Sequence, residues 1–272
     1  MAAPAQPDRA ARERAEEEPG GSMSFFDHLV ELRKRLISAF AAIGIGMVVG
    51  LIVAKRFIYL IIGPMMVALR ANQLEDRLYY TSPVGGIGLI ISLGFYLGIV
   101  IAMPWVLYQV WLFVAPGLYK HERRAVASFI GSSMVLFLAG IAFGYFIMLP
   151  KVLTYVIHFL SDGPIRPLIS VNEYFDLIVI VLVGLGIIFE MPVVVFILSA
   201  FGIVTPKFLL KNFRYALLLI TIVAAFVTPT PDATTMLIFM ATMTALYLVS
   251  VLVSYAVVRR KRARTLAEGE AS

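Results

Sequence analysis

No cysteine occurs in the 272 residues, so disulfides, thiolate zinc sites and cysteine nucleophiles are all excluded. Charge is scarce as well. Asp, Glu, Lys and Arg make up 15% of the chain against 60% hydrophobic residues, whereas a soluble domain carries about a quarter charged. What charge there is lies toward the ends, with 13 charged residues in positions 1–35 and 7 in 259–272. The long uncharged runs between them suit a chain whose solvent is the bilayer. A soluble enzyme, a disordered regulator and a nucleic-acid binder are excluded by the same arithmetic. The three histidines, His28, His121 and His158, are too scattered to form a metal site, and no Ser, His and acid set falls within membrane reach. Neither a cofactor nor catalysis is expected.

What is present is a series of apolar runs near the roughly 20 residues a helix needs to cross hydrocarbon. Six are found, at 36–54, 84–114, 125–149, 177–203, 213–228 and 236–258. The reading is therefore all-α, a polytopic membrane protein with six transmembrane helices. Six crossings put both termini on one side, and the Lys and Arg distribution says which. Seventeen of the 23 basic residues fall in the N-terminal segment, the 2/3 loop, the 4/5 loop and the C-terminal tail; six fall on the other side. Both termini are thus expected in the cytoplasm. Residues 1–22, rich in Ala, Pro, Glu and Arg, lack the apolar core of a cleavable signal and read as a disordered cytoplasmic tail. Residues 23–258 form the membrane domain, and 259–272 form a basic cytoplasmic tail. No internal repeat is visible, which weighs against inverted-repeat folds.

The joints and lengths carry further expectations. Segments 57–69, with Pro64 in the middle, and 152–160 are apolar but too short to cross, and are predicted as short helices in the outer interface. The fifth span, at 16 residues, reaches about 24 Å, short of a typical core. The second is about ten residues too long and contains Pro104, so it is expected to tilt, kink and project toward Pro116 and Gly117.

Few residues inside this apolar frame can carry chemistry. Glu190 is the single carboxylate well inside a span, and an ionisable group there is a functional candidate. Pro192, two residues on, removes an amide hydrogen and leaves the Ile188 carbonyl without its helical donor. The carboxyl serves either interhelical packing or the handling of a substrate or partner helix. At the cytoplasmic end Phe25, Leu29, Leu32 and Leu36 mark an amphipathic helix leading into the first span, with Glu31 and Arg35 at i,i+4 spacing for an ordinary pair. Glu122 is an acid in the otherwise basic 2/3 loop, matched by a local ion pair or by a ligand. Asn172, Glu173 and Asp176 read as a cap with acids at a helix start, and Asp232 as the same in the turn before the last span. From these residues alone, one reading is a proton-coupled small-molecule transporter with Glu190 as proton carrier; it lacks a second buried ionisable group and internal repeats.

Several segments, in this order and at these joints, resemble one family: TatC, the polytopic subunit of the twin-arginine protein translocase. They are 28–36 (HLVELRKRL), 108–124 (YQVWLFVAPGLYKHERR), 144–150 (GYFIMLP), 189–193 (FEMPV) and the Thr-Pro-Asp turn before the last span. The resemblance covers nearly all of 26–258. It implies a core receptor of the bacterial inner membrane that recognises signal peptides with paired arginines on the cytoplasmic face. It also implies export of folded proteins using the proton-motive force, with TatA-type and TatB-type single-span partners and homo-oligomerisation. On the same basis Glu31 and Glu122 fall where the family's acids meet the arginine pair, and Arg33, Phe113, Tyr119 and Lys120 belong to the matched segments. Glu190 falls on the intramembrane glutamate, and Pro64 and Pro104 on recurring prolines. One departure is plain. Many relatives have a glutamine shortly after the turn aspartate, where this chain has Ala233, Thr234, Thr235 and Met236; Thr234 and Thr235 are the candidates to take over its partner contact.

Overall fold

The longest apolar stretch near the N-terminus forms α1, Phe25–Ala71, whose 47 residues extend about 70 Å at 1.5 Å per residue. A computed structural model of the chain describes residues 25–114, 123–161, 168–228 and 232–269. Among these, every element is helical apart from one bridge between Tyr79 and Ser170. The predicted tail at 1–22 lies outside the described residues.

The sequence reading ends the first span at residue 54 and starts a separate short helix at 57, but α1 runs through both and through Pro64. Proline has no amide to give the carbonyl four residues back, which leaves Leu60 without its helical donor. The Tyr145 hydroxyl donates to the Leu60 carbonyl, and the Tyr174 hydroxyl donates to Ile61 O at 2.7 Å. Tyrosines from two other helices therefore support the backbone where the proline interrupts it. α2, Gly85–Val114, contains Pro104 and packs along α1. Glycines make that approach close: a Cβ on Gly50 would meet the Gly94 carbonyl, and one on Gly98 would meet the Met47 backbone. Small residues facing one another in this way let membrane helices pack backbone to backbone.

α3, Arg123–Phe143, passes through a π-helical turn, Gly144–Met148, directly into α4, Leu149–Ser161. The segment predicted as a free interfacial helix at 152–160 is thus the continuation of a crossing. The wider turn sits just before Pro150, where the Leu149 amide reaches Gly144 O, and a single π-turn absorbs the missing donor without ending the helix. Asn72 ties the end of α1 to α4 through Thr154 O at 3.2 Å. Tyr79 N donates to Ile169 O and Val171 N to Tyr79 O, which fixes where the next helix starts.

That helix is broken. α5, Val171–Ile188, stops at a turn through Phe189 and Glu190, and α6, Met191–Ala200, resumes with Pro192 in its first turn. The expected cap at Asn172 and Asp176 is corrected: α5 begins at Val171 after Ser170, placing both inside the helix, while Glu173 keeps its place in the first turn. The tight bridge to Tyr79 sets this earlier start. After Gly202, which has φ of +76°, Thr205 caps the short α7, Pro206–Lys211, by accepting from Phe208 N. α8, Phe213–Val227, follows. α9, Ala233–Gly269, begins with Asp232 Oδ1 accepting from Thr235 N at 2.7 Å, the cap read from the sequence. It continues as helix well past the last long apolar run, through most of the basic segment.

Among the described residues, five helical stretches are long and apolar enough to cross a membrane: His28–Ala71, Gly85–Phe113, Ile130–Phe159, Val171–Ala200 and Ala233–Arg260. The sixth run, α8, has 15 residues and reaches about 22 Å, close to the short length expected for it. α6 packs chiefly on α9, where Ser199 donates to Ser254 at 2.7 Å, while α5 packs on α3.

Candidate functional site

Two polar places stand out in this apolar bundle. The first lies where the start of α1 meets the end of α2. Four residues of helix bring Glu31 and Arg35 to one face, and Arg35 Nη2 donates to Glu31 Oε1 at 3.0 Å. This pair is part of a network. Arg35 Nη1 donates to Gln109 Oε1 at 3.3 Å, Gln109 Nε2 donates to Ser38 Oγ at 3.0 Å, and Trp105 Nε1 donates to the same hydroxyl at 3.1 Å. Gln109 is buried, so its amide is a fixed part of the helix contact. Glu31 is 15% exposed, and its Oε2 is buried with no partner among the described residues. A carboxylate sheltered this way interacts more strongly with a cation than one fully in water. One turn earlier, His28 stacks on Phe113 at 4.3 Å between ring centroids, bringing Phe113 to the same rim. Arg33 is exposed on the far side of α1, about 200° around the helix from Glu31. Tyr119, Lys120 and Glu122 lie outside the described residues.

The second place is the break between α5 and α6. Glu190 is 9% exposed and accepts a hydrogen bond from the fully buried Ser133 of α3, while its Oε1 has no partner among the described residues. The span expected over 177–203 is present as Val171–Ala200, with this turn inside it. Pro192 cannot supply an amide to the preceding turn, and the backbone turns at Glu190, whose own carbonyl accepts from Val193 N and Val194 N at 3.0 Å. Trp111 of α2 packs on Val193 and Ile197, the next positions along the same face of α6. Glu190 thus belongs to a junction of α2, α3 and α6, separate from the network around Glu31.

Of the structural candidates, Pro64 lies under the two tyrosines and Pro104 precedes Trp105 of the Ser38 network. Asp232 caps α9, and Thr234 Oγ1 accepts from Tyr155 of α4 at 3.0 Å. Sequence reasoning missed Gln109, Ser38 and Ser133. Their signal was present: polar residues inside apolar runs are rare and face protein rather than lipid.

Comparison with known proteins meets this geometry. Residues 27–242 match the family described as Sec-independent protein translocase protein (TatC). The chain is 42% identical over 258 residues to a Sec-independent protein translocase protein TatC of Koribacter versatilis, covering 94% of each. It is 34% identical to TatCy of Bacillus subtilis, over 92% of this chain and 96% of that one. A crystal structure of a twin arginine translocase receptor, TatC, superposes with a TM-score of 0.75 at 31% identity, covering 85% of this chain and 99% of the other. Family and fold agree with a multi-pass inner-membrane component of a protein translocase, and the chain belongs to the TatC family.

Proposed function

We propose that the chain is the receptor core of a twin-arginine translocase, reading paired arginines of signal peptides at its cytoplasmic face. The observation that supports this best is the setting of Glu31, a sheltered acid held at the α1/α2 junction by Arg35 and, through it, Gln109. A carboxylate oriented before its ligand arrives loses less freedom on binding. Guanidinium groups form planar two-point bonds with carboxylates, and ammonium groups do not. Two separated acids, Glu31 and Glu122, can therefore distinguish an Arg pair from a Lys pair. Arg35 already holds Oε1 of Glu31, so an incoming guanidinium shares or replaces that contact. Phe113, Tyr119, Lys120 and Arg33, from the same matched segments, are the further candidates for contact with the signal peptide.

In this reading the chain crosses six times with α8 as the short fifth span, and both termini face the cytoplasm in accord with the lopsided basic residues. One chain of this size does not enclose a pore for folded cargo. Further copies and single-span partners of the TatA and TatB type assemble around it, with Glu190 and Thr234 as contact candidates, and the proton-motive force drives export.

The test is export of a folded reporter bearing an Arg-Arg signal, together with site-specific crosslinking of that signal in native membranes. Glu31→Ala with Glu122→Ala is expected to abolish both. Undiminished crosslinking to the double variant discards the recognition account.

A further inference from the structure

Between α1, α2, α3 and α5 lies an apolar groove of about 320 Å³, lined by Phe57, Leu60, Leu93, Val100, Leu138 and Leu182 among others, with two tyrosine hydroxyls as its only polar side-chain groups. One of those, on Tyr145, is already spent on the Leu60 carbonyl. A cavity so lined stays dry, and at membrane depth it is filled by something apolar. Lining narrows the choice. Apart from the two hydroxyls the groove offers no hydrogen-bonding side chain, which suits a hydrocarbon chain.

Charge narrows it further. Arg56 lies four residues before Leu60, on the same face of α1, and Lys55 adjoins it. Both are exposed, and neither forms an ion pair among the described residues. The apolar run 36–54 that precedes them covers about 28 Å, so the two cations stand at the edge of the hydrocarbon opposite the termini. The lining from Leu93 to Val100 extends about 10 Å along α2. It lies beside Gly50 and Gly46 of α1, which pack on Gly94 and Gly98, and so this part runs inward from the cations, while Phe57 and Leu60 continue the groove about one turn outward past them. Cationic groups flanking its outer part and a dry channel leading inward match a phosphate and its acyl chain. We infer that this groove is a phospholipid site, holding one acyl chain of an anionic lipid with the headgroup on Arg56 and Lys55.

The experiment is native mass spectrometry of the full chain, titrated with phosphatidylglycerol and with phosphatidylcholine of identical acyl chains. The expected result is one tightly held lipid and about tenfold preference for phosphatidylglycerol, from the attraction of two cations near a membrane surface. Lys55→Gln with Arg56→Gln is expected to remove the preference while leaving an acyl chain bound, and Arg56→Lys to keep it. Leu138→Trp, or Ala142→Phe in the same groove, is expected to expel both lipids. The inference is overturned if the Gln variant keeps its preference, or if correctly folded groove-filling variants retain lipid. Capture of protein rather than lipid by a photocrosslinker at Leu138 in native membranes overturns it equally.

Discussion

At the scale of single residues, function rests on how few polar groups an apolar chain keeps and on what each one touches. Glu31 is oriented through Arg35, and Arg35 through Gln109. Losing the Gln109 contact removes about 1 kcal/mol, so Gln109→Ala is expected to weaken binding of an Arg-Arg signal peptide about fivefold. In a Glu31→Gln background the same change is expected to have little effect, which a binding titration on all four variants checks. An equal loss in both backgrounds would show that Gln109 acts elsewhere. For Glu190, a carboxamide can still accept from Ser133, whereas an aliphatic side chain leaves that hydroxyl unpaired. Glu190→Gln is therefore expected to preserve more assembled complex than Glu190→Leu on native gels. The Glu31 and Arg35 pair was legible from spacing because four residues is one turn. Its tie to Gln109 spans 74 positions, and no local pattern encodes which helix will face α1.

At the scale of elements, prolines and glycines decide where helices bend and meet. Tyr145 supports the carbonyl that Pro64 frees, so Tyr145→Phe is expected to lower the melting temperature in detergent, at a loss of about 1 kcal/mol. With Pro64→Ala the missing amide returns, and Tyr145→Phe is expected to lose most of its effect; additive losses would refute the link. Gly98 admits no Cβ against Met47, while Gly44 has nothing within 4 Å of an added one. Gly98→Leu is expected to abolish accumulation of folded protein in membranes, and Gly44→Ala to leave it unchanged or raised. Helix existence was readable from runs of apolar residues. Helix ends were not: at Pro64 and at Pro150 the chain continued because partners or a π-turn absorbed the missing amide, and at Pro192 it broke. The same residue type gave different outcomes, and the difference lies in neighbours supplied by other helices.

At the scale of the whole molecule, the order of long apolar runs was enough to read an all-α membrane protein, because the bilayer allows few alternatives for uncharged stretches of that length. The helices together set an acid-bearing rim where α1 meets α2, a buried carboxyl at the broken α5 and α6, and an apolar groove between α1, α2, α3 and α5. The proposed recognition by two acids depends equally on Glu122 of the 2/3 loop. The most direct measurement is the affinity of the full chain in lipid nanodiscs for an Arg-Arg signal peptide and its Lys-Lys counterpart, repeated with Glu31→Gln plus Glu122→Gln. Wild type is expected to favour the Arg pair by about tenfold, and the double variant to bind both peptides equally and weakly. An unchanged preference in the double variant would contradict recognition by these two carboxylates.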